Sequence, residues 1–108
     1  MPITRECVEV SVIGTGHTVW IALQGSRIIG LTAVSRKMPN QMTILCLQIS
    51  DSNKNSGVGS ALIKSVIAGN PTDEFTAVPV GGTDEFYSRL GFSKSGHWEM
   101  CRPAEASN

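Results

Sequence analysis

The chain has 108 residues, of which 41% are hydrophobic, and its nine basic side chains balance nine acidic ones. A net charge of zero offers no global field for nucleic acid or an anionic membrane, so neither is expected as a partner. Cys7, Cys46 and Cys101 stand far apart with no C-x-x-C pair, which speaks against a disulfide framework or a metal site and for reduced thiols in the cytoplasm.

The length predicts one domain over residues 1–108. No apolar run approaches the ~18 residues of a membrane span, and no basic-then-apolar leader opens the chain. In chain order, residues 6–13 alternate partly and predict a first strand, ended by Gly14-Thr15-Gly16. Thr18 to Leu23 and Arg27 to Val34 predict a hairpin about Gln24-Gly25-Ser26, followed by a loop over Arg36 to Asn40. Met42 to Ser50 is the most apolar strand and is expected at the centre of the sheet, with Cys46 buried among its neighbours.

A helix follows, because Val58, Ala61, Leu62, Ser65 and Val66 recur on one face. Gly69 is its expected C′ glycine and Pro71 blocks continuation. Phe75 to Val80 predicts a fifth strand, broken by Gly81-Gly82. Thr83 is the expected cap of a short helix that stops at Gly91. Residues 92–101 predict one or two strands about Gly96, and 102–108 a frayed tail. The fold class is α/β (α+β, a mixed sheet with helices packed on it), in the order β-β-β-β-α-β-α-β. Trp20 is expected in the core.

The most informative stretch joins the fourth strand to this first helix. An apolar strand, a polar turn, Gly57-Val58-Gly59 and a helix start aim backbone N–H groups and a positive helix end at one spot, which makes an anion site. A Walker loop would need Lys-Ser/Thr after Gly59, where Ser60-Ala61 stand. A dinucleotide fingerprint would need a third glycine at position 62, which is Leu62. The remaining reading is a loop whose amides hold a pyrophosphate without metal or lysine.

Leu47 through Leu62 resembles the acyl-CoA-binding motif of the GNAT superfamily of N-acetyltransferases, an apolar strand, then Arg/Gln-x-x-Gly-x-Gly/Ala, then a helix. Glu85-Phe86-Tyr87-Ser88-Arg89-Leu90-Gly91-Phe92 resembles a second segment of that family, in order and at the expected distance. The resemblance covers about residues 18–100 and implies a minimal GNAT-like domain with acetyl-CoA as co-substrate. It implies that amides from Lys54, Asn55, Ser56, Gly57, Val58, Gly59 and Ser60 cradle the CoA pyrophosphate, with glycines where a Cβ would obstruct the backbone's approach. By the same resemblance Ile49 offers main-chain groups to the pantetheine arm and the Leu47 N–H stabilises the oxyanion. Tyr87 matches the tyrosine that protonates the leaving thiolate.

Departures from the family pattern accompany the resemblance. Lys54 stands where the family prefers Arg or Gln, and Asp51 replaces a frequent proline. The Asn that usually precedes the second helix would fall near Val80 and is absent. The fourth strand carries no carboxylate to serve as base, which leaves Asp51, Glu99, His97 or a water relay. His97 and Trp98 are weighed as acceptor-pocket residues against a packed terminal strand. Two helices that usually follow the first strand are missing. The acceptor site is therefore open, or a second subunit walls it, and a homodimer is expected. The reading is transfer of acetyl from acetyl-CoA to a protein lysine, an N-terminus or a small amine. The alternative is a non-catalytic GNAT-fold binding module acting through protein contacts.

Overall fold

The computed structural model describes residues 5–12, 17–80, 83–96 and 99–104. Alternating apolar residues in the first half of the chain form four antiparallel strands, β1 (Arg5–Val12), β2 (His17–Gln24), β3 (Arg27–Met38) and β4 (Gln41–Ile49). A 3-10 turn (Asp51–Asn53) and α1 (Val58–Gly69) lead to β5 (Glu74–Ala77), which pairs with β4 in parallel. Helix α2 (Asp84–Arg89) and the short strands β6 (Ser93–Lys94) and β7 (Met100–Arg102) complete the chain. The seven-stranded sheet has the order β1-β2-β3-β4-β5-β7-β6, with β4 in the middle as its apolar sequence predicts. The mixed sheet and the element order match the expected fold class. Gly14-Thr15-Gly16, Gly81-Gly82 and His97-Trp98 lie outside the described residues.

Two hairpins follow from turn chemistry. Gly25 has φ 62° at the first turn position between β2 and β3, the pattern of a type II′ turn. Pro39-Asn40 joins β3 to β4 with φ 67° at Asn40, a Pro-then-left-handed pair that makes a tight type II-like turn. The loop expected over Arg36 to Asn40 is therefore mostly strand, since β3 continues to Met38. Arg36 near that end makes a bidentate pair with the carboxylate of the 4% exposed Asp73, at 2.8 and 2.9 Å. The pair ties β3 to the approach of β5 and holds the Arg36 guanidinium above its ordinary value, chiefly through that hydrogen bond.

Both helices pack on one face of the sheet. Ile63, Val66 and Ile67 of α1 share a buried cluster with Val34, Met42, Ile44, Phe75, Tyr87, Leu90, Phe92 and Met100. A second cluster joins Val58 and Leu62 to Ala22 and Ile29. Gly30 sits under α1 at a close approach, since a Cβ there would stand 2.8 Å from Ile49 Cδ1 and 3.1 Å from Val58 Cγ1.

Several local expectations are corrected. Gly69 is the last residue of α1 and has no positive φ; Asn70 caps instead, its Nδ2 donating to the Val66 carbonyl at 2.9 Å. Gly69 serves packing, because the ring of Trp20 lies 3.3 Å from where its Cβ would be. Trp20 is partly buried against both clusters rather than at their centre. The Thr83 hydroxyl does not cap α2 but donates back to the Val80 carbonyl at 2.6 Å. Arg102, expected in the tail, ends β7, and its Nε donates to the Leu90 carbonyl at 2.7 Å.

Candidate active site

The site begins with a break in the sheet. In the β3–β4 ladder Ala33 pairs with Cys46 and Val34 with Ile44, so Leu45 is the extra residue of a β-bulge. The bulge changes which parity faces the helices. Met42 and Ile44 point inward before it, and Leu47 and Ile49 pack toward α1 after it. The buried Thr32 hydroxyl donates to the Cys46 carbonyl at 2.7 Å and fixes the bulged strand.

On its other side β4 pairs with β5 only as far as Ile44↔Ala77. Beyond that pair the ladder stops, and among the described residues no strand pairs with the edge of β4 from Leu45 to Ile49. Main-chain groups on that edge then face a groove of about 920 Å³, walled by β4, Val78, Val80, the start of α1 and α2.

The polar turn supplies the second wall. Asn55 and Gly57 both have left-handed backbones, with φ 62° and 86°, and between them they reverse the chain into α1. The Ala61 N–H closes the first helical turn on the Gly57 carbonyl at 3.0 Å. Val58, Gly59 and Ser60 therefore present N–H groups with no partner inside the helix, at its positive end. Ser50 and Ser52 hydroxyls donate to Asn53 Oδ1 at 2.8 and 3.2 Å, and the Ser56 hydroxyl donates to the Asn53 carbonyl, which braces the turn.

The third wall is α2, and the Leu90-Gly91-Phe92 segment explains how it is held. The Phe92 N–H donates to the Tyr87 carbonyl and the Gly91 N–H to the Ser88 carbonyl, at 3.1 Å each, with φ 93° at Gly91. This is a Schellman closure, and its customary apolar contact is the Phe92 ring set edge-on against Tyr87 at 5.3 Å. Phe86 makes a matching edge contact with Tyr87 at 5.1 Å. Tyr87 is thus clamped at 6% exposure, and its hydroxyl makes no hydrogen bond to a described residue. Burial raises the Tyr87 phenol above its ordinary value, and a negative charge on nearby Cys46 would add to the effect.

The groove thus brings together Leu47, Ile49, Lys54, Asn55, Gly57, Val58, Gly59, Ser60 and Tyr87, and leaves only Ser56 of the predicted site residues off its wall. The two glycines differ from expectation. A Cβ on Gly59 would meet Phe86 and Leu47 at 3.4 and 3.5 Å, an ordinary contact, whereas Gly57 is required by its backbone angle. Phe86, Arg89, Val78, Val80 and Cys46 also line the groove and were not legible as site residues. Cys46, expected to be buried, is half-buried on the wall, because a bulge leaves no local mark in sequence.

Charge suits an anion. The cations on the wall are Lys54 and Arg89, and no described carboxylate lines it. Lys54 is paired with Asp51 at 3.1 Å and Arg89 with Glu85 at 2.7 Å, all exposed, so both cations keep donors for a ligand. Of the candidate bases, Asp51 is 98% exposed beside Lys54, and Glu99 is exposed beside Ser95. Neither reaches the groove. Open space above Gly57, unpartnered helix amides and flanking cations together fit a pyrophosphate-bearing ligand.

Comparison with known proteins agrees with this geometry. A GNAT-family acetyltransferase from Elizabethkingia anophelis with acetyl-CoA bound superposes with a TM-score of 0.72 at 16% identity, covering 92% of this chain and 94% of that one. The ribosomal-protein-S18-alanine N-acetyltransferase from Escherichia coli gives a TM-score of 0.77 at 13% identity, over 88% and 74% of the two chains. N-acetylglutamate synthase from Neisseria gonorrhoeae, complexed with coenzyme A and L-arginine, gives 0.71 at 16% identity, over 82% of this chain and 25% of that one. At these identities the likeness is one of fold. None of the curated proteins matches the sequence. The model of the acetyltransferase (GNAT) domain matches residues 3–101, and the chain belongs to the GNAT acetyltransferase family.

Proposed function

We propose that this chain is a cytoplasmic N-acetyltransferase that moves an acetyl group from acetyl-CoA to a primary amine of a protein or a small molecule. The observation that carries the reading is the convergence of the α1 amide end, the unpaired edge of β4 and the Tyr87 hydroxyl on one groove. Amides from Lys54 to Ser60 hold the pyrophosphate, and the main chain at Ile49 guides the pantetheine arm. The Leu47 N–H takes the charge that develops on the thioester oxygen. Tyr87 gives its proton to the departing thiolate. Acetyl-CoA supplies the activated acyl group. With no described carboxylate on the wall, the proton of the attacking amine leaves through water.

Calorimetry with acetyl-CoA tests the reading. Saturating ligand at a hundred times its dissociation constant should stabilise the fold by about 2.7 kcal/mol. Radiolabelled acetyl should then pass to lysine-bearing peptides or small amines. Binding without transfer to any amine would leave the non-catalytic module as the better description, and no binding would end the enzyme reading.

The face of the sheet opposite the helices supports a homodimer. Only residues 13–16 separate β1 from β2, so no helix is inserted there. The rows Val8–Ile21–Leu31 and Val10–Val19–Ala33 cross three strands without a charge. Val8 and Val10 are 37% and 45% exposed, and Leu45 is 50% exposed at the groove's edge. Those two rows present no charge to desolvate, so a second copy of the same face is their natural cover. Light scattering should give twice the 11.5 kDa chain mass; a monomer at micromolar concentration would rule the dimer out.

A further inference from the structure

Val80 and Val78 are the two most exposed large apolar side chains among the described residues, at 73% and 61%. Leu45, the extra residue of the bulge, is half exposed, and all three line the one groove. Leu45 and Val78 are the first residues beyond the last β4–β5 pair, Ile44↔Ala77, so they flank the point where the ladder stops. Val78 and Val80 also lie outside the apolar rows that cross β1 to β3. Exposed apolar side chains gathered at the mouth of a groove mark where an apolar ligand rests.

Their place along the groove decides which part of a ligand meets them. In the acetyl-CoA reading the ligand runs along the β4 edge from the α1 amides past Ile49 to Leu47, where the thioester oxygen lies. Leu45 comes next on that edge, beyond the thioester. The molecule that attacks the acetyl carbon therefore sets its body against Leu45, Val78 and Val80.

Charge narrows what that body can be. The cations on the wall are Lys54 and Arg89, and no described carboxylate lines it. Asp51 and Glu85 are paired with those same two cations. An acceptor with several positive charges thus meets like charge without a counter-charge on the wall. A peptide is poorly served as well. Leu45, Val78 and Val80 offer its amides no hydrogen-bonding side chain, and the strand edge beside them is engaged by the pantetheine arm. A hydrocarbon has no polar group to leave unpaired there. The same surroundings assist the chemistry, because apolar walls favour the uncharged amine, and only that form attacks.

We propose that the acceptor is a small primary amine on an uncharged hydrocarbon body, selected by Leu45, Val78 and Val80. The inference rests on the groove being an acetyl-CoA site. In the transfer the bond from the amine nitrogen to the carbonyl carbon forms, and the bond from the CoA sulfur to that carbon breaks. The amine proton goes to water, and the departing thiolate takes the Tyr87 proton, which water replaces.

The test is steady-state transfer from acetyl-CoA to the straight-chain amines from propylamine to hexylamine, beside spermidine and a lysine-rich peptide. The simple amines are alike in basicity, so their differences report apolar contact alone. Their kcat/KM should rise about two- to fourfold per added methylene. Hexylamine should exceed spermidine and the peptide by at least about tenfold. Val78→Asp changes an exposed position outside the buried clusters and should cut the hexylamine-to-peptide ratio about tenfold. Should that variant fail to fold, the wild-type series decides alone. A flat series, a peptide or spermidine as good as hexylamine, or an unchanged ratio in folded Val78→Asp would overturn the acceptor inference and leave the proposed function standing. Calorimetry on the same samples marks the other failure. Acetyl-CoA that does not bind, or binds without transfer to any amine, overturns both.

Discussion

Replacing Tyr87 by phenylalanine is expected to slow acetyl transfer by about 10²–10⁴-fold, the usual contribution of a positioned general acid, with acetyl-CoA affinity nearly unchanged. The substitution is unusually clean here. Phenylalanine keeps both edge contacts, at 5.1 Å to Phe86 and 5.3 Å to Phe92, and the helix closure below them uses backbone only. The lost hydroxyl has no partner among the described residues, so no buried group is left unsatisfied. Stability should therefore hold within about 1 kcal/mol.

Burial keeps the phenol of Tyr87 protonated beyond its ordinary value of 10.0, so the wild-type rate should fall off only in strongly alkaline solution. The phenylalanine variant should lack that limb. The stability linked to this group has the same sign: it is complete below pH 10.0 and is lost as pH rises through the higher folded value. Steady-state kinetics across pH, beside calorimetric affinities, read all of this together. A rate equal to wild type would remove Tyr87 from the chemistry.

Legibility in the sequence followed the range of the interactions. Strands β1 to β4 and helix α1 were readable because alternation, helical spacing and Gly25-Ser26 are local signals. The reach of β3 was not, since Arg36 is held in strand by Asp73, a partner distant in sequence. The end of α1 departs from its local signal for a similar reason. Gly69 looks like a terminating glycine, yet Trp20 from β2 claims the space beside it and Asn70 does the capping.

The site divides along the same line. The half proposed for acetyl-CoA is contiguous, a strand, a turn and a helix start, and so is legible in sequence down to Gly57. Tyr87 stands out in sequence through its neighbours, and the structure supplies the physical reason for its place on the groove: Gly91 lets α2 close so that Phe92 clamps the tyrosine. What could not be read is the parity change at Leu45, which turns Cys46 from an expected core residue into groove wall. A bulge is decided by the partner strand and by Thr32, whose hydroxyl holds the Cys46 carbonyl.

Gly57→Val is expected to weaken acetyl-CoA binding by about 30- to 100-fold, equivalent to losing one or two charge-assisted amide contacts. Gly57 sits at φ 86°, where an L side chain costs roughly 1–2 kcal/mol and a β-branched one more. The chain can relieve that strain only by rotating the Gly57–Val58 peptide, which swings the Val58 N–H away from the groove. If it does not relax, the new side chain stands in open space, because nothing lies within 4 Å of a Cβ there. Either response spoils the anion cradle while leaving the core contacts of Val58 and Leu62 in place. Gly59→Ala is the comparator: its Cβ would rest against Phe86 and Leu47 at 3.4 and 3.5 Å, its φ is not positive, and α1 gains a better helix former. Its affinity should stay within about threefold of wild type. Calorimetric titration of the two variants decides the matter. Equal losses would mean that the ligand presses on α1 beyond its first amides, and an unaffected Gly57→Val would place the pyrophosphate elsewhere.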